Sequence, residues 1–306
     1  MKPTATRVLS LVEKGLLDDI GREHSAAHYP SEASVRVGGE IVGRCMRQLW
    51  YSHKNVKKTN PPGVTAIMRM EAGNALHDRF GKWLDKAGIL HQSEVAFRSR
   101  RPGMELPVSG RVDYEIVLPV GDSTIHSQKF GLEVKTGFGR YTSGKGGLKK
   151  GPREEHVAQV LPYIDIMGYY GVHLVYLDRA SFWRCEDYVT ATGWSRLYDS
   201  DEFQGKGNVR VGDSGTHRFS VGAIYARWAV LEKFLEEDTP PKRDFSPQWS
   251  AQELDKVYQD YHDGLKQKGR AQEPASYIKK FLGSSKAVRF PCDYCAWKET
   301  CIKEGE

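Results

Sequence analysis

From Met68 to Ala87 the apolar residues Ala72, Ala75, Leu76, Phe80, Trp83, Leu84 and Ala87 recur at helical spacing, which predicts an amphipathic helix. Period-two stretches follow, predicting strands at 94–99, 108–118 and 129–136, with Gly121-Asp122-Ser123 as a turn between the last two. Val112, Tyr114, Ile116 and Leu118 alternate toward a core and leave Asp113 on the other face. In KFGLEVKT (129–136) Leu132 and Val134 share one face, Glu133 and Lys135 the opposite one. A helix is expected from Arg153 to Tyr170, with Pro162 as a site for a kink, then strands at 173–178 and 184–190. Residues 191–217 read as polar loop, and helices are expected near 220–237 and 250–266. Ahead of all this lie a helical arm, Val8 to Ile20, and a polar connector, SEASVRVGGE (31–40). The order predicts an α/β core with one mixed sheet flanked by helices. Three parts are expected: an arm (1–39), a core (40–190) and a helical C-terminal part (191–306).

Composition narrows the picture. The 306 residues are 39% hydrophobic and 27% charged, as in soluble globular chains, and no apolar run is long enough to predict a membrane-spanning helix. The first residues turn acidic before a hydrophobic leader could form, so no secretory signal is expected. The net charge of +6 is modest, but it is concentrated. Residues 41–70 carry Arg44, Arg47, Lys54, Lys57, Lys58 and Arg69 without an acid, and 134–153 carry Lys135, Arg140, Lys145, Lys149, Lys150 and Arg153, again without one. Each window holds as much positive charge as the whole chain nets, the pattern of a phosphate-binding surface. Arg44, Arg47, Arg140, Lys145, Lys149 and Lys150 are the candidate nucleic-acid contacts. The five cysteines, odd in number and sparse, are no disulfide framework, and a reducing, cytoplasmic setting is expected, bacterial, archaeal or phage-encoded.

A hairpin would bring Asp113, Glu133 and Lys135 onto one surface. Two carboxylates there make a hard-oxygen site for Mg²⁺ or Mn²⁺, and a neighbouring lysine suits a scissile phosphate or an attacking water. Glu-x-Lys alone is common; its company is not. Gly73-Asn-Ala-Leu-His77 lies on the upstream helix, Gly110-Arg-Val-Asp113 ends in the candidate ligand, and Gln159-Val-Leu-Pro-Tyr163 lies on the following helix. This ordered set, GxxxH, GxxD, ExK, QxxxY, resembles the RecB-like nucleases of the PD-(D/E)XK superfamily over about residues 40–190. The resemblance implies a restriction-endonuclease-like core, metal ligands at His77, Asp113 and Glu133 with the Val134 carbonyl, a catalytic Lys135, and site-shaping, DNA-contacting roles for Gln159 and Tyr163. It further implies exonucleolytic cleavage of single-stranded DNA or duplex ends in repair, recombination or CRISPR-type processing, with any unwinding left to a helicase or recombination partner. The competing expectation is a non-catalytic DNA-binding or scaffold subunit of such a complex, which would have no need of Asp113, Glu133 and Lys135 together.

Near the C-terminus Cys292, Cys295 and Cys301 form CxxCx₅C, and Cys45 supplies a fourth thiolate. Four soft ligands suit tetrahedral zinc or a [4Fe–4S] cluster. One ligand far upstream of the other three is similar to the iron–sulfur staple of CRISPR-associated RecB-like nucleases and AddB-type subunits, which implies the cluster rather than zinc. Cys185 reads as a small buried hydrophobe. Gly139 to Gly146 nearly fits the phosphate-loop pattern GxxxxGK[ST], but Gly146 stands where the Mg²⁺-binding hydroxyl belongs, so a basic loop tracking a phosphate backbone is the better account.

Overall fold

The computed structural model describes Leu16 and residues 24–120, 123–137, 148, 151–182, 184–200, 211–245, 292 and 295–304. The expected helices at Val8–Ile20 and 250–266 lie outside these residues, apart from Leu16, which is helical. So do the candidate contacts Arg140, Lys145, Lys149 and Lys150.

The molecule is an α/β structure built on a seven-stranded mixed sheet. Its strands are β3 (Leu90–Ser99), β4 (Val108–Val120), β5 (Ser123–Gly137), β6 (Val172–Asp178), β7 (Arg184–Val189), β8 (Gly193–Asp199) and β9 (Ser214–Thr216), neighbours in that order. Only β5 and β6 pair in parallel, with Glu133 opposite Leu174 and Lys135 opposite Tyr176. Parallel neighbours need a crossover, and helix α3 (Glu154–Met167) supplies it. That helix runs through Pro162 and stops at Gly168, whose left-handed φ of 66° ends it. All seven residues of β6 are buried, as a central strand covered on both faces requires.

Three clusters form the core. Val157 and Leu161 of α3 pack with Leu174, Tyr176 and the Ile224 and Trp228 side chains of α4 (Val221–Glu236). On the other side Tyr114, Ile116, Leu132 and Val134 meet Leu76, Phe80 and Leu84 of α2 (Val64–Lys86). The third joins Leu49, Trp50 and Tyr51 of α1 (Met46–His53) to Leu231 and Trp297, just ahead of the short tail helix α5 (Lys298–Lys303). Trp83, expected on the apolar face of α2, is 45% exposed and lies beside Arg79.

Two stretches expected to be irregular are strands. Residues 31–40 are not a connector: β1 (Ser34–Val37) and β2 (Glu40–Gly43) form a hairpin. Its turn is Gly38-Gly39, at φ 54° and 87°, the positive values that a two-residue hairpin turn demands. Residues 191–217 hold β8 and β9, so the sheet continues past residue 190, where the core was expected to end. Their polar sequence hides a strand because Arg196, buried in β8, is neutralised by its cross-strand partner Asp187.

Candidate active site and cysteine cavity

Strands β4 and β5 pair as far as Tyr114 and Leu132, and there the register ends. Beyond that pair the Val134 amide donates to the Asp113 carboxylate (Oδ2, 2.8 Å). Glu133 and Lys135 lie on the face covered by α3, opposite Leu132 and Val134, as the alternation predicted, and Asp113 joins them through the Val134 amide and the shared cleft. Val112 departs from the expected alternation: it packs in the cluster on the α3 side, apart from Tyr114 and Ile116. Lys135 Nζ donates to Glu133 Oε1 and to Gln159 Oε1, both at 2.7 Å. Gln159 Nε2 donates to the same Glu133 oxygen at 2.7 Å and to the Tyr163 hydroxyl at 3.1 Å. Glu133 is 3% exposed, and its other oxygen, Oε2, is buried with no hydrogen-bond partner among the described residues.

His77 completes the group from α2. Its Nδ1 lies 3.5 Å from Asp113 Oδ2, and the Tyr114 hydroxyl donates to its backbone carbonyl. The motif glycines are contact positions. A Cβ at Gly73 would meet Thr136 Oγ1 of β5 at 3.1 Å, and one at Gly110 would lie 2.9 Å from the Phe97 ring. Small residues there let α2 and β3 close around the carboxylates.

The electrostatics are those of a site awaiting positive charge. Burial, then the nearby Glu133 charge, pushes the Asp113 carboxyl well above its ordinary range, against the opposing Val134 amide and Lys135. Burial also lowers His77, leaving a neutral imidazole that is free to ligate. Burial raises the Tyr163 hydroxyl, which keeps it a neutral hydrogen-bonding group. An orphaned carboxylate oxygen, a second carboxylate and an imidazole form a donor set that fits Mg²⁺ or Mn²⁺.

The group opens into a cleft of about 440 Å³ whose walls include Pro30, Phe97, Asp113, Glu133 and Gln159. Sequence patterning missed one wall residue, Glu94. It lies opposite Asp113, between the Ser93–Tyr114 and Val95–Val112 pairs, with a left-handed φ of 53°, and it pairs with Arg111 at 2.9 Å. Its place in the wall comes from strand pairing with a remote segment, which periodicity along one strand does not record.

The candidate DNA contacts divide. Arg44 is exposed and lines, with Lys58, a separate groove of about 670 Å³. Arg47 is not a surface contact: it is 4% exposed and its Nε donates to the Pro241 carbonyl at 2.7 Å, tying α1 to the segment after α4. Tyr163 is 3% exposed, borders the cleft and accepts from Gln159 Nε2 at its hydroxyl. Gln159 itself borders the cleft. For Val134 the structure shows an amide engaged with Asp113.

Cys45, Cys292, Cys295 and Cys301 all border one small cavity of about 30 Å³. Among the described residues no three cysteine sulfurs lie within 4.8 Å of one another, so they are not gathered as the ligands of a single ion are. Burial raises the Cys45, Cys292 and Cys295 thiols, and at Cys292, pushed up to about 11, the neighbouring thiols add to it. Such a donor set is costly to ionise without a cation and fits a thiolate-bound metal group. The tail reaches the segment that follows α1: the Thr59 and Asn60 amides donate to the Ala296 carbonyl, and the Trp297 indole Nε1 donates to the Val56 carbonyl. Cys185 is 1% exposed, as expected of a buried hydrophobe.

No protein-family model matches the chain, and no curated protein matches it. Among solved structures it is similar to one described as "Crystal structure of SSO0001", with 12% identity, a TM-score of 0.46 and coverage of 98% of each chain. A superposition of that quality does not by itself define a shared fold. The described helices include none long and apolar enough to cross a membrane.

Proposed function

We propose that the protein is a metal-dependent DNA nuclease of the RecB-like, PD-(D/E)XK type, with a restriction-endonuclease-like core, acting as an exonuclease on single-stranded DNA or duplex ends. The observation that carries this reading is the Asp113–Glu133 pair beside Lys135 in an open cleft, with one oxygen of the buried Glu133 lacking a partner among the described residues. Asp113, Glu133 and His77 would hold Mg²⁺ or Mn²⁺, which supplies a water of lowered pKa and charge neutralisation at the scissile phosphate. Lys135, fixed by Glu133 and Gln159, presents its ammonium to the phosphate oxygens as charge builds in the transition state. Tyr163 fixes Gln159 in turn. The exposed Arg44 and the Lys58 groove support a path for the phosphate backbone: Ser31 of the turn between β1 and the preceding segment borders the cleft, and the next residue, Glu32, borders the groove. The four thiols around one cavity support a [4Fe–4S] staple, since a multi-iron cluster holds its sulfurs farther apart than a single zinc does.

The test is degradation of 5′- and 3′-labelled single strands and duplexes with Mn²⁺ and with EDTA, for the wild type and for Asp113→Ala, Glu133→Ala and Lys135→Ala. Cleavage that needs Mn²⁺ and vanishes in all three folded variants is expected. Near-normal activity in any one of them refutes the assignment, and DNA binding without cleavage by the wild type would mark a scaffold subunit.

A further inference from the structure

A second cluster of metal-ligating side chains lies apart from both the carboxylates and the cysteines. His24, Glu32 of the short 3-10 turn (Pro30–Glu32), and His53 at the end of α1 each bring one ligand atom within 4.8 Å of the others. Glu32 Oε2 is 3.1 Å from His24 Nε2, and the His24 and His53 rings stand 4.1 Å apart, centroid to centroid. Two ring nitrogens there, His24 Nδ1 and His53 Nε2, are buried and make no hydrogen bond among the described residues. A hydrophobic aromatic cluster does not need three histidines, and orphaned imidazole nitrogens are costly unless something binds them. We propose that His24, Glu32 and His53 form a binding site for a zinc-class divalent cation.

The donor chemistry selects the ion. Two imidazoles and one carboxylate suit Zn²⁺, whose three-protein-ligand sites leave a fourth position for water, and are a poor match for Ca²⁺ or Mg²⁺. Backbone geometry holds the site ready. The His24 amide donates to Asn55 Oδ1 at 2.8 Å, and Asn55, at a left-handed φ of 51° just past α1, is thereby the residue that sets His24 against His53. His28 is engaged elsewhere: its Nε2 meets Glu232 Oε1 at 2.9 Å and its ring stacks on Trp228, so it forms a wall of the site and not a ligand. The ion would cross-link the segment before β1 to the end of α1, the helix that Cys45 opens. Neither polar periodicity nor spacing reveals this site, because its ligands lie on elements of different type and follow no regular repeat.

The test uses Co²⁺ as a spectroscopic probe on the full-length protein, with bound metal counted by elemental analysis and Zn²⁺ as the competitor. Expected is bound Co²⁺ with visible ligand-field bands, no added thiolate-to-cobalt charge transfer, displacement by Zn²⁺, and one equivalent fewer in His53→Gln than in the wild type. Asn55→Ala is expected to weaken binding about 10–100-fold by releasing His24. Should His53→Gln fail to fold, Glu32→Gln at the partly exposed rim replaces it. Cobalt seen only with thiolate charge transfer would place it at the cysteines. Cobalt indifferent to His53→Gln and Glu32→Gln would place it in the Asp113–Glu133 cleft. Either result, or no bound cobalt, overturns the proposal and leaves the nuclease reading untouched.

Discussion

Asp113 and Glu133 share a buried corner with one amide, one lysine and one glutamine to satisfy them, and that is too little for two charges. Asp113→Asn keeps an acceptor for the Val134 amide and removes the repulsion. Because the folded carboxyl has a raised pKa, the folded state binds the proton more tightly than the unfolded one. The stability this contributes is full at low pH and is lost as pH rises through the raised value. In EDTA the Asn variant is therefore expected to melt a few degrees above the wild type at neutral pH, with the gap closing in acid. Mn²⁺ should raise the wild type and leave the variant unmoved; thermal melts with and without Mn²⁺ at several pH values check all of this. The shared face of Glu133 and Lys135 was legible from alternation, since a two-residue period assigns faces without knowledge of neighbours, and the accompanying motifs at His77, Asp113 and Gln159 marked them as a candidate site. Glu94 was not, because its place opposite Asp113 is set by the β3–β4 register, which joins residues remote in the chain.

Among the elements, β8 shows how a polar sequence becomes interior structure. Arg196 Nε and Nη2 donate to the two Asp187 oxygens at 2.6 and 3.2 Å, a forked pair between directly opposed residues of β7 and β8. Both side chains are buried. Arg196→Met strands a buried carboxylate and is expected to cost about 3–5 kcal/mol, read from chemical denaturation. Adding Asp187→Leu should recover most of that loss, which a merely cavity-forming substitution would not. Helix α2 presents the converse case: its apolar stripe was plain, yet Trp83 stays largely exposed because β3 and β4 occupy only part of the helix face.

At the scale of the whole molecule, the four cysteines bring the start of α1 and the tail to one cavity, and a metal group held there would close most of the chain into a loop. Under the proposed assignment, anaerobically purified protein is brown. Cys45→Ala or Cys295→Ala should lose the colour together with thermal stability, and lose nuclease activity as a consequence, since metal–thiolate bonding contributes to folding. Absorption spectra with iron and zinc analysis separate the outcomes: a colourless protein with stoichiometric zinc would keep a staple and remove the iron, and an unchanged melting temperature would remove both. The net positive charge has its own expectation. Neutralising Lys145, Lys149 and Lys150 together should weaken DNA binding and flatten its dependence on salt, because fewer counterions are released. Binding isotherms across a salt series check it, and an unchanged slope would return that loop to a plain solvated surface.

Local order in the chain determined the strands that carry the site, the helix that presents His77, and the face shared by Glu133 and Lys135. Each of these follows from periodicity, which needs only the residue and its near neighbours. Burial of Arg47 against Pro241 and of Tyr163 against Phe97 of β3 was decided by tertiary structure, since exposure depends on what packs from a distance. The same holds for the β1–β2 hairpin, for β8 and β9, and for the His24–Glu32–His53 cluster. In each, polar or short segments find their partners only once the sheet and helices have brought remote residues together, and a charge buried beside its opposite leaves the same letters in the chain as a charge in water.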